Sequence, residues 1–526
     1  MKPLNSKQML ALTVASVVLA SGAALSQSND DPAVCAAPFK NSDASIEACT
    51  RVLQREMRSS ARRLAVTLRN RGLALKLKGD VDRAVADLTE AITIDPSLTV
   101  TYIDRGDLYK SKDQCDKAIA DYDRAIELLP GQPSPYVGRA LCRMLKHEEE
   151  RGLADLDQAI RLDPKNAAGV GAEAWNLKGG ISFLKGDVDR AIADCDEAIR
   201  LDPRRASFYL ERGGAFKAKR DYARALADYD RTIQLDPKLV FAYINRADVY
   251  EATNEDDRAI ADYDQVVRLD PDNALGFAGT AWGMKGGIHQ SKGDLDRSIA
   301  DYDQALRLDP RRVSFYLERA ALRSRKGNDD HALADYDQAV KLDPNDAAVY
   351  HARADFYRTK SEYARAVEDY SRSISRQPDD LPAYGNRALA HFYMGDFAKA
   401  ASDFKRVAQE QANGHTVLLL YVSRARAGSR EAKDELAKGA ARLNAAEWPY
   451  PLVELYLGRK SEDAALAAAT KPDERCEAAF YVGEWHLVRG DRAPAAKPLQ
   501  EAADTCPHEF VEYSGAVAEL KRLKGR

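Results

Sequence analysis

Ten aspartates and ten cations stand at one constant separation through the middle of this chain. Each Arg or Lys precedes its Asp by sixteen residues: Arg71 and Asp87, Arg105 and Asp121, Arg212 and Asp228, Arg246 and Asp262, Arg319 and Asp335. Arg139, Arg353 and Arg387 stand likewise before Asp155, Asp369 and Asp403, and Lys178 and Lys285 before Asp194 and Asp301. A row of carboxylates invites metal or substrate binding. A row in which every carboxylate has its own cation reads instead as a ladder of partly buried ion pairs. Seven cysteines offer a second chemistry. With His486 and His508 they match no familiar metal-ligand spacing, so no metal site is expected and pairing among the thiols is the better reading.

Catalytic signals are missing. The chain has no glycine-rich phosphate loop, no Gly-x-Ser-x-Gly elbow and no His-Glu-x-x-His pair, and its eight histidines are scattered. His289 falls on a packing position. The expectation is a protein that is not an enzyme and carries no cofactor. Net charge is −4 from 78 basic and 82 acidic residues, so no global field draws the chain to nucleic acid.

The elements that position these residues are set by a ruler of prolines. Pro96, Pro130, Pro164, Pro203, Pro237, Pro271, Pro310, Pro344 and Pro378 are spaced by 34 residues, with 39 at every third step. Most follow an Ala-[IL]-Ala-Asp-Tyr-Asp-x-x-[ILV]-x-Leu-Asp-Pro phrase, as in Ala225 to Pro237 and Ala332 to Pro344. A fixed period near this length marks a solenoid of stacked elements. Ahead of Pro237, Ala225, Tyr229 and Thr232 share one helical face, and Tyr209, Gly213 and Phe216 share another. Two short helices joined by a polar turn follow. Small residues at Gly213 and Ala225 permit close approach, and Asp236-Pro237 stops the second helix.

This pattern resembles the tetratricopeptide repeat (TPR) family over roughly residues 63–412, as ten repeats. The large residue of each first helix is Tyr102, Tyr136, Trp175, Tyr209, Tyr243, Trp282, Tyr316 or Tyr350, and the second helix offers Tyr122, Tyr229, Tyr263, Tyr302, Tyr336 or Tyr370. The resemblance implies an all-α solenoid, a right-handed superhelix of antiparallel helix pairs whose inner groove is lined by first helices. Residues pointing away from the packing stripe would line that groove: Ile103, Asp107, Val137, Leu141, Leu210, Ile244, Asp248, Leu317, His351 and Asp355. Apolar residues alternating with acids suit a peptide or helix with apolar anchors and some positive charge. Alternatively, some of these positions pack against the preceding repeat. Asp107, Gly214 and Asp248 occupy sites where the family's clamp for chaperone tails needs Asn, which argues against that ligand.

The remaining segments read as ends. Lys2 and Lys7, the apolar run Met9 to Ala20 and a small-residue site at Ala24-Leu25-Ser26 read as an export signal over 1–26, with no membrane span after its removal. Residues 27–62 hold a capping half-repeat at Ala44 to Leu53. Residues 413–475 read as a divergent region with helices at 417–427, 431–443 and 452–457. Residues 476–526 read as one more divergent repeat and a closing helix over 510–524. In an exported chain Cys476 and Cys506 fall at the same end of an antiparallel pair, and Cys35 with Cys49 would staple the front cap. Cys115 with Cys142 is a weaker third pair, and Cys195 takes a core aromatic position. The 39-residue spacing places Gly169 to Glu173 and Gly276 to Thr280 in longer loops, read either as the trace of triplet duplication or as a rim feature that a partner recognises. The layout is similar to periplasmic TPR adaptors of the NlpI type. That likeness implies a scaffold in the periplasm of a Gram-negative bacterium, with protein or peptide ligands such as envelope proteases or cell-wall hydrolases. The alternative is a self-assembling structural scaffold of a secretion or envelope assembly.

Overall fold

Each Asp-Pro step ends a helix, and the chain between two such steps folds as an antiparallel pair. The computed structural model describes residues 31–55 and 60–525, so the expected export signal lies outside the described residues. Among those residues there are 29 helices and no strand. The chain divides into two compact units, Met1–Leu269 and Asp270–Arg526, a division that the unbroken repeat pattern does not announce.

In the first unit α1 (Asp31–Cys35) and α2 (Ser42–Arg55) lead into six pairs. These are α3 (Ala61–Leu77) with α4 (Val81–Ile94), α5 (Thr99–Ser111) with α6 (Cys115–Leu128), and α7 (Ser134–Leu145) with α8 (Glu149–Leu162). They continue as α9 (Gly171–Leu184) with α10 (Val188–Leu201), α11 (Ala206–Ala218) with α12 (Tyr222–Leu235), and α13 (Val240–Ala252) with α14 (Asp256–Leu269). The half-repeat α2 is preceded by the short helix α1, which the sequence reading lacks; Arg51 and Arg55 hold Asp31 on it at 2.7 and 3.0 Å.

Local chemistry sets each hairpin. The turn inside a pair needs one left-handed residue, supplied by Gly79 and Gly186 but also by Asp113, His147, Arg220 and Asn254. The second helix then starts on an aspartate whose carboxylate accepts the N–H of the third helical residue, as Asp80, Asp187 and Asp221 do for Arg83, Arg190 and Arg224. At its end Asp236 is extended, as the following proline requires. Ala84, Ala118, Ala191, Ala225 and Ala259 are fully buried and let the helices close, while Leu88, Tyr122, Tyr229 and Tyr263 fill the space beside them. Each such large apolar side chain contributes about 1.5–3 kcal/mol by leaving water.

The 39-residue spacing makes a loop wrapped around a carboxylate. Buried Asp163 accepts the N–H groups of Ala168, Val170 and Gly171 at 3.1, 2.9 and 3.0 Å, and Asn166 accepts that of Ala172. In the second unit Asp270 does the same for Leu275, Phe277 and Ala278, with Asn273 on Gly279. The extra residues satisfy the start of the following helix from within the chain.

The second unit continues with α15 (Ala278–Ser291), α16 (Leu295–Leu308), α17 (Val313–Arg325), α18 (Asp329–Leu342), α19 (Ala347–Thr359), α20 (Tyr363–Arg376), α21 (Leu381–Met394) and α22 (Phe397–Glu410). The divergent stretch folds as α23 (Gly414–Arg426), α24 (Ala432–Ala440), α25 (Tyr450–Leu457) and a further short α26 (Glu462–Ala467). The last pair is α27 (Pro472–Arg489) with α28 (Arg492–Thr505), closed by α29 (Val511–Lys524). Among the described residues no helix is long and apolar enough to cross a membrane.

Candidate functional site

The cation of each first helix meets the aspartate of its own second helix in a two-pronged bond. Arg246 Nε and Nη2 donate to the two oxygens of Asp262 at 2.9 and 2.7 Å. The same fork joins Arg71 to Asp87, Arg105 to Asp121, Arg212 to Asp228 and Arg319 to Asp335, all between 2.5 and 2.9 Å. Only guanidinium geometry allows a fork of this kind. The third nitrogen reaches the preceding repeat: Arg246 Nη1 donates to Asp230 at 2.5 Å, Arg212 to Asp196 at 2.6 Å and Arg319 to Asp303 at 2.6 Å. Where that acid is absent, Thr89 receives Arg105 and Ser371 receives Arg387. Each arginine therefore ties one hairpin together and also ties it to its predecessor. The sequence reading missed this second bond, although its signal is the second Asp of the Asp-Tyr-Asp phrase, sixteen residues before the next arginine.

Lysine breaks the pattern. Lys178 Nζ goes to Asp157 of the preceding repeat at 2.6 Å, whereas Asp194 accepts from Ser182 at 3.3 Å. The expected Lys178–Asp194 bridge is thus corrected: the ammonium lacks the planar fork by which a guanidinium grips one carboxylate and still reaches the next, and it turns to Asp157. His289 Nδ1 stands 2.6 Å from Asp301 at the position equivalent to Ser182. With every ladder aspartate occupied and buried, the carboxylates present no open coordination sites, and no group of three or more metal-ligating side chains forms among the described residues.

On the opposite flank of the first helices lies a second recurring network. Tyr122 passes beside Gly106 and Gly138 to donate to Asp107 at 2.7 Å, where Lys110 also binds at 3.1 Å. Tyr263 donates to Glu251 at 2.5 Å and lies 3.5 Å from Asp248, which holds Lys217 at 3.0 Å. In the second unit Tyr370 donates to Asp355 at 2.5 Å, Asn386 adds a bond at 3.1 Å, and His351 bonds Asp380 at 3.0 Å. Burial, then the neighbouring acids, pushes the Tyr122 and Tyr263 hydroxyls well above the usual phenol range.

Of the groove positions read from the sequence, Ile103, Leu210, Ile244, Leu317, Asp107, Asp248, His351 and Asp355 remain partly exposed on this flank. Val137 and Leu141 do not. They are 6% and 7% exposed and pack with Tyr136, Leu156, Leu177 and Ile181 in one core cluster, so their place in a groove is corrected. Positions on a first helix that face the next first helix are covered by it when the side chains there are large.

The cysteines fall in two classes. The Cα atoms of Cys35 and Cys49 are 4.8 Å apart, and those of Cys476 and Cys506 are 5.1 Å apart, both within reach of a bridge. Cys115, Cys142 and Cys195 are buried thiols. The expected Cys115–Cys142 pair is therefore corrected: the two share a cluster with Ala118 and Tyr122 as thiols, and burial pushes the Cys142 thiol up.

The C-terminal pairs of the second unit hold a charge cluster that sequence spacing does not reveal. Buried Glu484 on α27 and Glu519 on α29 share Arg426 of α23 at 2.8 and 3.2 Å, and Arg522 caps Glu519 while donating to the carbonyl of Tyr393 at 2.7 Å. Nearby, His415 and Trp448 both bond Glu477, at 2.8 and 2.6 Å, and Tyr481 donates to Glu512 at 3.3 Å. Burial first, and Glu477 second, pushes the Glu512 carboxyl up to about 7.

Models of the tetratricopeptide repeat match residues 150–206, 210–274 and 284–347, with further matches at 335–368, 69–98 and 100–131. Among solved structures, the chain is similar to a tetratricopeptide repeat protein from Parabacteroides merdae at 22% identity, covering 48% of this chain and 98% of that one with a TM-score of 0.36. It is also similar to YrrB, described as a TPR protein with an unusual peptide-binding site, at 21% identity, 36% and 95% coverage and a TM-score of 0.30. PilF of Pseudomonas aeruginosa matches at 18% identity, 40% and 94% coverage and a TM-score of 0.36.

Proposed function

We propose that this chain, which belongs to the tetratricopeptide repeat family, is a non-catalytic protein-interaction scaffold that takes partner peptides or proteins on the first-helix face of its repeats. The family membership supports interaction with proteins in general. The observation that carries the reading to this face is the half-exposed alternation of Ile103, Leu210, Ile244 and Leu317 with Asp107, Asp248 and Asp355. Most other large apolar side chains of these pairs are spent on packing, whereas the ladder flank is filled by its own ion pairs. A partner presenting aliphatic anchors and positive charge fits what is left.

The compartment is part of the same proposal. A leader over 1–26 and two bridgeable cysteine pairs, one at the front and one in the last repeat, suit an exported protein whose thin ends are stapled in an oxidising periplasm. Envelope proteases or cell-wall hydrolases are the partner class that this location suggests.

Photocrosslinking tests the binding face. A photoreactive residue at Ile244 in the full-length chain is expected to capture partners that the same residue at Asp189, on a second helix, does not. Capture through Asp189 alone would refute the choice of face.

A further inference from the structure

The register that bonds a buried tyrosine to the acid beside it fails at one level of the first unit. Tyr229 on α12 is fully buried, and its hydroxyl has no hydrogen-bond partner among the described residues. The residue that answers to Asp107 and Asp248 on α11 is Gly214, and a side chain built there would meet nothing within 4 Å. Gly180 at the preceding level is open in the same way.

One turn before Gly214 stands Glu211, which is half-buried and makes neither an ion pair nor a hydrogen bond among the described residues. Desolvation pushes its carboxyl up to about 7. Cys195 is the small residue at the preceding tyrosine position, and the Glu211 charge is felt by both that thiol and the Tyr229 hydroxyl. Three other acids of this flank are already answered: Asp104 by Arg69, Asp107 by Lys110 and Asp248 by Lys217. What remains over is negative charge and a phenol.

We propose that the level of Gly214 is a seat for one cationic side chain of a partner peptide, a lysine ammonium or an arginine guanidinium, held by the Glu211 carboxylate and the Tyr229 hydroxyl oxygen. This rests on the peptide-binding reading of the first-helix face and names the chemistry of one of its subsites. Both groups accept N–H donors, and a cation brings several. An anionic ligand would meet the unanswered Glu211. A neutral one offers the Glu211 carboxylate no counter-charge, so burial goes on favouring its protonated form.

The test is an array of immobilised nonapeptides whose central residue is Lys, Arg, norleucine or Glu within varied aliphatic flanks, probed with the labelled full chain. Wild type is expected to bind the Lys and Arg sets about tenfold more tightly than the norleucine and Glu sets. Glu211→Gln should erase that preference. Gly214→Asp, which supplies Tyr229 with the acceptor its sisters have and closes the open space, should erase binding at this level while thermal melting shows the fold retained. Capture without preference for a cation, or a preference that survives Glu211→Gln, overturns the cationic seat and leaves the groove standing. If no peptide is captured, or capture persists when Ile244 carries a bulky adduct, the groove reading falls with it.

Discussion

Arg246→Lys is the most revealing perturbation of the ladder, because the chain already contains its outcome at Lys178. Arg246 donates three charge-assisted bonds, two to Asp262 and one to Asp230. Asp262 is 4% exposed, whereas half of the Asp230 side chain meets water. The two sides of the bridge pull differently: pairing with Asp262 and Asp230 holds the guanidinium firmly charged, while burial lifts the Asp262 carboxyl in spite of Arg246. The pair is therefore worth less than its geometry suggests, but stranding Asp262 is expensive. A lysine will follow Lys178 to the preceding repeat's acid. At that level Ser182 then serves Asp194, but the equivalent residue here is Tyr250. Arg246→Lys should thus cost about 1–3 kcal/mol, the penalty of one poorly satisfied buried carboxylate. Arg246→Ala should cost about 3–5 kcal/mol, because no cation remains. Asp230→Ala, losing an exposed partner, should cost about 0–1 kcal/mol. Urea unfolding followed by circular dichroism measures the order, with amide exchange of α13 and α14 reporting the local effect, since stacked repeats need not unfold all at once. Equal midpoints for the three variants would refute the claim that the guanidinium fork matters more than charge alone.

Asp228→Ala should destabilise by about 1–3 kcal/mol, because it takes two of the three bonds of the half-buried Arg212 and leaves only Asp196, read as a lowered urea midpoint. Replacing both Cys476 and Cys506 with Ser, which opens a loop of sequence separation 30, should lower the stability of oxidised protein by about 2–4 kcal/mol, and reductant should bring wild type down to the variant in a thermal melt. Gly138→Ala would place a methyl inside the contact radius of the Tyr122 ring, an overpacking that should cost about 1–3 kcal/mol in the same assay. The Glu512 carboxyl is raised to about 7 in the folded chain, so its contribution to stability is complete below the ordinary glutamate value and lost as pH rises through about 7. His415 has the same sign: burial lowers it, but its bond to Glu477 and the charges of Glu477 and Glu512 together raise it. Melting temperature should therefore be higher near pH 6 than near pH 8, and Glu512→Gln should flatten that difference, as differential scanning fluorimetry would show.

Much of this protein follows from its repeat alone. The proline ruler, the Ala and Tyr positions and the cation sixteen residues before each Asp specify helix, turn, helix and the pairing of Arg71, Arg105, Arg212, Arg246 and Arg319. They do so because every one of those contacts lies within a single hairpin, whose geometry is set by local spacing. Tertiary structure decided whatever depends on a neighbour. Val137 and Leu141 are buried by the following first helix, Lys178 turns to Asp157, and Arg426, Glu484, Glu519 and Arg522 meet across long stretches of chain. Whether a half-buried acid such as Glu211 has a partner depends on side chains contributed by three helices at once. That quantity exists only in the packed chain: the sequence shows Gly214 standing where Asp107 and Asp248 stand, but not that the Tyr229 hydroxyl is left without an acceptor among the described residues.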